Sequence, residues 1–343
     1  MKHSPFVRHD FARAALPVIV FAFFAVTVSG YASFGNIYSI LESCALVGLI
    51  AAAVGTTMLA GELDLSVSSV AACAGVIAVK ASGLGLVQAV LLATVIGVVF
   101  GAIQGWGIHR LAISSLVLTL GTFIGVRGIA YILADERTIT LDLDQLGMAQ
   151  SLRERIWILS PFSTTMLVLV LLVGLLLRYT RVGREIYAIG GGRRESKAAG
   201  VPQARGIILA FALSGGLAGL AGAMASIRAG SAAPGSYDEL LLIGVTAALI
   251  GGVSLYGGRG SMTSVLLGVL TLQFLLSGLA IQGAAFWAAN LATGSVLLVA
   301  IFIDLAAEDS PTRRALDRLR ASRQSRVADA DQAIVTPQHE GVS

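Results

Sequence analysis

Residues 61–66 read GELDLS and place two carboxylates, Glu62 and Asp64, between apolar runs of about 20 residues on either side. A carboxylate at membrane depth is costly, so one kept there has a partner or a task. Three roles fit Asp64. It could cap a helix starting near Leu65, pair with a cation such as Arg259, or face a substrate. Ser66 fits the same helix break. Arg127 lies within another apolar run, where it either snorkels or lines a pathway. A second break, Gly257-Gly258-Arg259-Gly260, interrupts the apolar sequence further on. A third polar segment, 179–206, carries Arg193, Arg194, Glu195 and Lys197. Its glycine-rich start gives way to RESKAAGV, whose composition suits a short helix ended by Gly200 and Pro202, either a docking helix or part of a solvated connector.

The surrounding composition decides what positions these groups. The 343 residues are 56% hydrophobic and only 13% charged, against about 25% charged in soluble domains. Such a chain lacks the charges for a water-facing surface, so lipid is the implied solvent. The long apolar runs suit helices, and the 40 glycines suit close helix packing in lipid. The expected fold is an all-α, polytopic integral membrane protein with about ten transmembrane helices. Candidate spans are 14–32, 43–60, 65–82, 86–108, 111–133, 161–178, 207–228, 240–257, 261–282 and 286–304. Only 61–66 separates the second span from the third, and only 257–260 the eighth from the ninth. Either pair is equally readable as a broken or re-entrant helix.

Lys and Arg set the expected orientation. With the N-terminus inside, the inner segments hold Lys2, Arg8, Arg13, Arg110, Arg178, Arg181, Arg184, Arg193, Arg194, Lys197, Arg205, Arg259 and six tail arginines. The outer side holds Lys80, Arg137, Arg153, Arg155 and Arg228. Both termini are thus expected in the cytosol. The expected organisation is a cytosolic N-terminus over 1–13, a membrane domain over 14–304 and a basic, partly disordered tail over 305–343. An outer loop spans 134–160 and an inner loop 179–206. Arg228, Tyr237, Asp238 and Glu239 flank a further outer loop. Segments 57–77 and 248–268 share a layout of apolar run, glycine break and small-residue helix, as two-half transporters do.

Several chemistries are absent from the sequence. None of the three lysines sits in a GxxxxGK[ST] loop, so the chain has no ATP site of that kind. No HExxH, GxSxG or Cys/His cluster occurs. Cys44 and Cys73 read as small buried side chains, and no catalytic or metal-ligating residue is assigned. The basic charge (net +4) is explained by membrane orientation rather than nucleic acid. The chain reads as a conduit, driven by an ion gradient or by another subunit.

Three segments carry a family resemblance: AGELDLSVSSVAA (60–72), GREIYAIGGGRRESKAAGV (183–201) and the stretch from ALSGGLAGLAG to SLYGGRGS (212–261). They resemble the permease subunits of bacterial ABC importers for monosaccharides, of the ribose, xylose and rhamnose type. The resemblance implies an inner-membrane permease for a monosaccharide or related small polar solute. It implies a second permease copy (the same or a different chain), an extracytoplasmic solute-binding protein, surrounding lipid, and cytosolic ATP-binding subunits carrying ATP and Mg. It places ATPase docking on 183–201, with Gly183, Gly190, Gly191, Arg193, Arg194, Glu195, Lys197 and Gly200. Glu62, Asp64, Ser66, Arg127, Gly257, Gly258 and Arg259 are the pathway or helix-break candidates. The chain departs from the family pattern at Glu62, Ser68, Gly192 and Arg194. Permeases for branched-chain amino acids or nucleosides look similar, and an ion-coupled carrier is the alternative from another class.

Overall fold

The computed structural model describes residues 5–308, with side-chain surroundings for 15–305. Its first compact unit, Met1–Leu298, holds every contact discussed below. The second, Val299–Ser343, contributes the final turns of the last helix, and the basic tail beyond residue 308 lies outside the described residues. The helices are α1 (Pro5–Thr27), α2 (Phe34–Leu59), α3 (Val67–Lys80), α4 (Leu86–Leu111), α5 (Ser115–Leu133), α6 (Leu146–Arg153) and α7 (Pro161–Tyr179). They continue with α8 (Arg181–Gly191), α9 (Arg193–Ala198), α10 (Gln203–Ala229), α11 (Leu240–Ile250), α12 (Met262–Ile281) and α13 (Phe286–Glu308). A two-stranded antiparallel ribbon, β1 (Ile139–Thr140) with β2 (Ser231–Ala232), is the sheet among the described residues.

Among the described residues, seven helices (α2, α4, α5, α7, α10, α12 and α13) are long and apolar enough to cross a membrane. The ten expected spans each have a helix, but α3 and α11 correct two of them. With 14 and 11 residues they reach about 21 and 17 Å, short of a hydrocarbon core of about 30 Å. Each reaches further only through a non-helical segment, 60–66 beside α3 and 251–261 beside α11. The broken-helix alternative is therefore the one observed. Two boundaries also move. Helix α2 starts nine residues before the expected 43, because Ser33 caps it by accepting from the Asn36 amide, which brings Glu42 inside the helix. Helix α1 starts at Pro5, so the expected arm over 1–13 is helical from residue 5.

Helices α2 and α10 form the centre: 72% of the apolar stretch of each is buried, against 22% for α4 and 17% for α5. The outer helices turn Val87, Leu91, Val95 and Ile103 of α4 and Val117, Leu120 and Ile124 of α5 outward. So much exposed apolar surface is compatible only with lipid as solvent. Association in lipid gains nothing from hiding apolar surface, so it depends on close backbone approach. Gly97, Gly101 and Gly105 of α4 recur every fourth residue and face Gly215, Gly219 and the Phe211 carbonyl of α10. Gly222 of α10 meets the Ala71 backbone of α3, and Gly268 of α12 meets that of Ala247 in α11.

Polar ties close one end. Glu42 of α2 pairs with Arg228 of α10 and accepts from the Ser160 hydroxyl, which also caps α7. Arg153 Nε donates to the Arg228 carbonyl at 2.7 Å, and the Tyr38 hydroxyl to the Arg153 carbonyl at 3.1 Å. The segment 134–160 is therefore folded over this end rather than being a plain loop.

Because Gly215 lies against the Gly97 backbone, Gly215→Leu must separate α4 from α10. The expected cost is about 1–3 kcal/mol, read as a lower melting temperature of the detergent-solubilised protein. An unchanged melting temperature would contradict this packing.

Candidate functional site

At the opposite end, where α7, α8, α9 and both helix breaks meet, arginine and lysine concentrate. Helix α7 ends at Tyr179, and Thr180 turns the chain by capping α8, its hydroxyl accepting from the Gly183 amide at 3.3 Å. In sequence, a glycine-rich start gives way here to RESKAAGV, whose composition suits a short helix. That start is itself helical, because one face is held by neighbours. Gly183 lies on the Leu177 backbone, and Ile186 and Ile189 are buried. Ile189 packs with Ile108 of α4 and with Ile207 and Phe211 of α10.

Helix α9 follows, as expected for RESKAAGV, and ends in a Schellman-type cap. The Val201 amide donates to the Ser196 carbonyl at 2.9 Å and the Gly200 amide to the Lys197 carbonyl at 3.0 Å, with Gly200 at φ +77°. Arg194, Glu195 and Lys197 are exposed on this short ridge.

The structure brings Gly190, Gly191, Gly257 and Gly258 together with Gly61, at a junction the sequence did not reveal. A Cβ on Gly257 would stand 2.6 Å from the Gly61 Cα and 2.9 Å from the Gly190 Cα, and one on Gly258 would stand 2.6 Å from the Gly191 Cα. Gly61, Gly257 and Gly258 adopt φ of +74°, +85° and +67°, a region costly for residues with a Cβ. The Gly258 amide donates to the Leu59 carbonyl at the end of α2, at 3.0 Å. The Tyr187 hydroxyl of α8 donates to the Gly260 carbonyl at 2.9 Å, and burial pushes its phenol pKa up. Helix α8 therefore rests on both breaks at once. The two segments that share a layout in sequence, 57–77 and 248–268, meet at their breaks.

Glu62 pairs with Arg193 at the start of α9. The carboxylate is 7% exposed and the guanidinium 53%, so one partner is anchored and the other reaches into solvent. Burial lowers the Arg193 pKa from its ordinary value, yet arginine remains charged at neutral pH. This pair joins the departure at Glu62 to the loop that departs at Arg194.

Asp64, in the same helix break as Glu62, is enclosed and hydrogen-bonded. It is 1% exposed and accepts from the Ser66 amide at 3.0 Å, the Ser66 hydroxyl at 2.7 Å and the Ser214 hydroxyl of α10 at 2.8 Å. It is the anchor of the turn into α3. The hydroxyls satisfy it where Arg259 was one expected partner; the Arg259 guanidinium reaches the Ser254 hydroxyl at 3.4 Å. Ser66 extends the network to Gln104 of α4, whose amide donates back at 3.0 Å and also reaches Thr122 of α5. Gln104, Thr122 and Ser214 were not singled out from sequence. The signal available was their polar type inside apolar helices.

Arg127 is not brought to the breaks. It pairs with Asp238 at 2.8 Å, toward the other end of the bundle. Of the expected outer-loop residues, Arg228 and Asp238 are engaged in ion pairs and Tyr237 bonds Ser226 at 2.9 Å, so three of the four hold the loop itself.

The family profile described as "branched-chain amino acid transport system / permease component" matches residues 14–304. The chain belongs to this permease family. Among its relatives, the L-arabinose transport system permease protein AraH of Escherichia coli is 32% identical over 290 residues, covering 83% of this chain and 87% of AraH. The ribose import permease protein RbsC of the same organism is 25% identical, covering 84% and 91%. The xylose transport system permease protein XylH of Haemophilus influenzae is 26% identical, covering 83% and 93%. No solved structure matches the chain significantly. The permease is thus a multi-pass membrane protein, and its glycine junction lies within the matched region.

Two outcomes are expected for this site. Asp64→Ala leaves the Ser66 amide and the Ser214 hydroxyl unpaired, destabilising the permease by about 2–4 kcal/mol; melting equal to wild type would show that Asp64 is no anchor. Glu62→Arg and Arg193→Glu should each lower stability, and the combined swap should recover about 1 kcal/mol of it, a modest figure because Arg193 is half exposed. Additive effects in the double-mutant cycle would refute the pair.

Proposed function

We propose that this permease forms the membrane pathway of an ABC importer that moves a monosaccharide into the bacterial cytosol. The observation that carries the reading is the glycine junction, where α8 rests on both helix breaks and continues into the exposed ridge of α9. A protein docked on that ridge can move the breaks, because glycine contacts leave no side chains between the parts. The sugar class is supported by relatives named for arabinose, ribose and xylose.

The end bearing Arg181, Arg184, Arg193, Arg194 and Lys197 faces the cytosol, following the positive-inside rule. In this reading both termini lie in the cytosol and the folded 134–160 segment lies outside. An ATP-binding subunit, carrying ATP and Mg, docks on α8 and α9 and drives alternation between outward and inward access. A solute-binding protein delivers sugar at the outer end, and a second permease copy completes the pathway. In this reading Glu62–Arg193 transmits the displacement of α9 to the break before α3.

The test is reconstitution in vesicles with the cognate ATPase and binding protein. Uptake of labelled arabinose, ribose or xylose should require ATP and persist when ion gradients are collapsed. Uptake by the permease alone, abolished by an ionophore, would instead identify a secondary carrier, and uptake of leucine but no sugar would support the amino-acid reading. Reversing Arg194 and Lys197 to Glu should lower ATPase copurification at least tenfold (about 1.4 kcal/mol) without impairing membrane insertion. Normal copurification would overturn the docking assignment.

A further inference from the structure

A groove far from the glycine junction lies between the first half of α2 and the second half of α12. It encloses about 430 Å³ and is lined by Asn36, Ser39 and Ser43 of α2 and by Gln273, Leu276 and Ser277 of α12, among others. Two features set it apart from ordinary helix packing. The polar side chains recur on one face of each helix, at 36, 39 and 43 and at 273 and 277, so each stripe points one way. And the polar capacity of the groove is only partly used. Asn36 accepts from Ser277 at 2.9 Å and donates to the Tyr31 carbonyl at 2.7 Å, and Ser39 bonds the Gly35 carbonyl at 3.0 Å. The Ser43 hydroxyl and the Gln273 amide hold no hydrogen bond among the described residues, although Gln273 is only 7% exposed. A glutamine nine-tenths buried in an apolar bundle, lining the groove and without a hydrogen bond among the described residues, is held ready for a guest.

We propose that this groove binds the transported solute, with Gln273 and Ser43 as the residues that contact its hydroxyls. The proposal rests on the importer reading above and adds to it the place where the solute is held. An amide and a hydroxyl supply donors and acceptors in the number a sugar's vicinal hydroxyls require. No charged side chain lines the groove. An amino-acid zwitterion would need counter-charges for its ammonium and carboxylate at this depth. The N-terminus of α2 offers no substitute, since Ser33 already occupies its Asn36 amide. The volume falls within the range of small-molecule sites, roughly 300–1,000 Å³.

The experiment uses the assembled transporter in vesicles and the pentose that the wild type transports best. Gln273→Leu and Ser43→Ala, near-isosteric in the groove, should each lower sugar uptake by roughly threefold to tenfold, as expected for one lost hydrogen bond. ATP hydrolysis and ATPase copurification should stay at wild-type level. As a second measurement, Ser43→Cys in a Cys44→Ala, Cys73→Ala background should react with a small methanethiosulfonate reagent and be protected by the sugar but not by leucine. Unchanged uptake in both variants, or labelling that sugar does not slow, would overturn the groove assignment while leaving the importer reading intact. A wild type that transports leucine and no sugar would overturn both, and that result is visible before any variant is made.

Discussion

Backbone amides and carbonyls enclosed in a lipid-solvated bundle must find partners within the protein, and this permease breaks two of its helices at the basic end of that bundle. The structure answers by bringing the breaks together. The Gly258 amide bonds the last carbonyl of α2, the Tyr187 hydroxyl takes the Gly260 carbonyl, and Gly190 of α8 fills the space between Gly61 and Gly257. Side chains at these points would separate the three segments and leave their polar groups unpaired, at a cost of several kcal/mol each in hydrocarbon. The broken helices, the position of α8 and the exposed ridge of α9 all follow from this one close contact.

The same logic assigns the acids. Asp64 and Glu62 stand two residues apart, yet their environments give them different work. Asp64 turns inward, is fully enclosed and is satisfied by hydroxyls and an amide, which fixes the start of α3. Glu62 turns toward the basic end and meets a cation on a different element. The first arrangement lies inside one enclosed network and the second joins two elements at the basic end, so α9 is tied to the break before α3 through Glu62 rather than Asp64. At the far end Glu42, Ser160, Arg228 and Arg153 knit α2, α7, α10 and the 134–160 segment into a closed cap. The bundle therefore has one end secured by charge and side-chain hydrogen bonds and another held by glycine contact.

Much of this was legible beforehand, and the misses share a cause. The apolar runs located every membrane helix, and the RESKAAGV composition located α9 with its Gly200 stop. Helix α8 was missed because GREIYAIGG is poor in helix formers. It is helical because Gly183 and Gly190 permit contacts with Leu177, Leu59 and Gly258 that no local rule contains. Arg127 was placed on a possible pathway because its partner, Asp238, lies in a distant loop. The early start of α2 depended on a serine cap that any of several nearby serines could have supplied.

The sequence by itself determined the solvent, the class and the family. Hydrophobic run length, the scarcity of charge and the basic asymmetry are sums over many residues, and no single contact can reverse them. It also marked where the helices break, because glycine and aspartate carry local conformational preferences. Only the tertiary structure decided which breaks touch, which acid anchors and which one links, and that Gln273 and Ser43 face a groove without partners. Those outcomes depend on distances between residues far apart in the chain, which composition and local pattern do not encode.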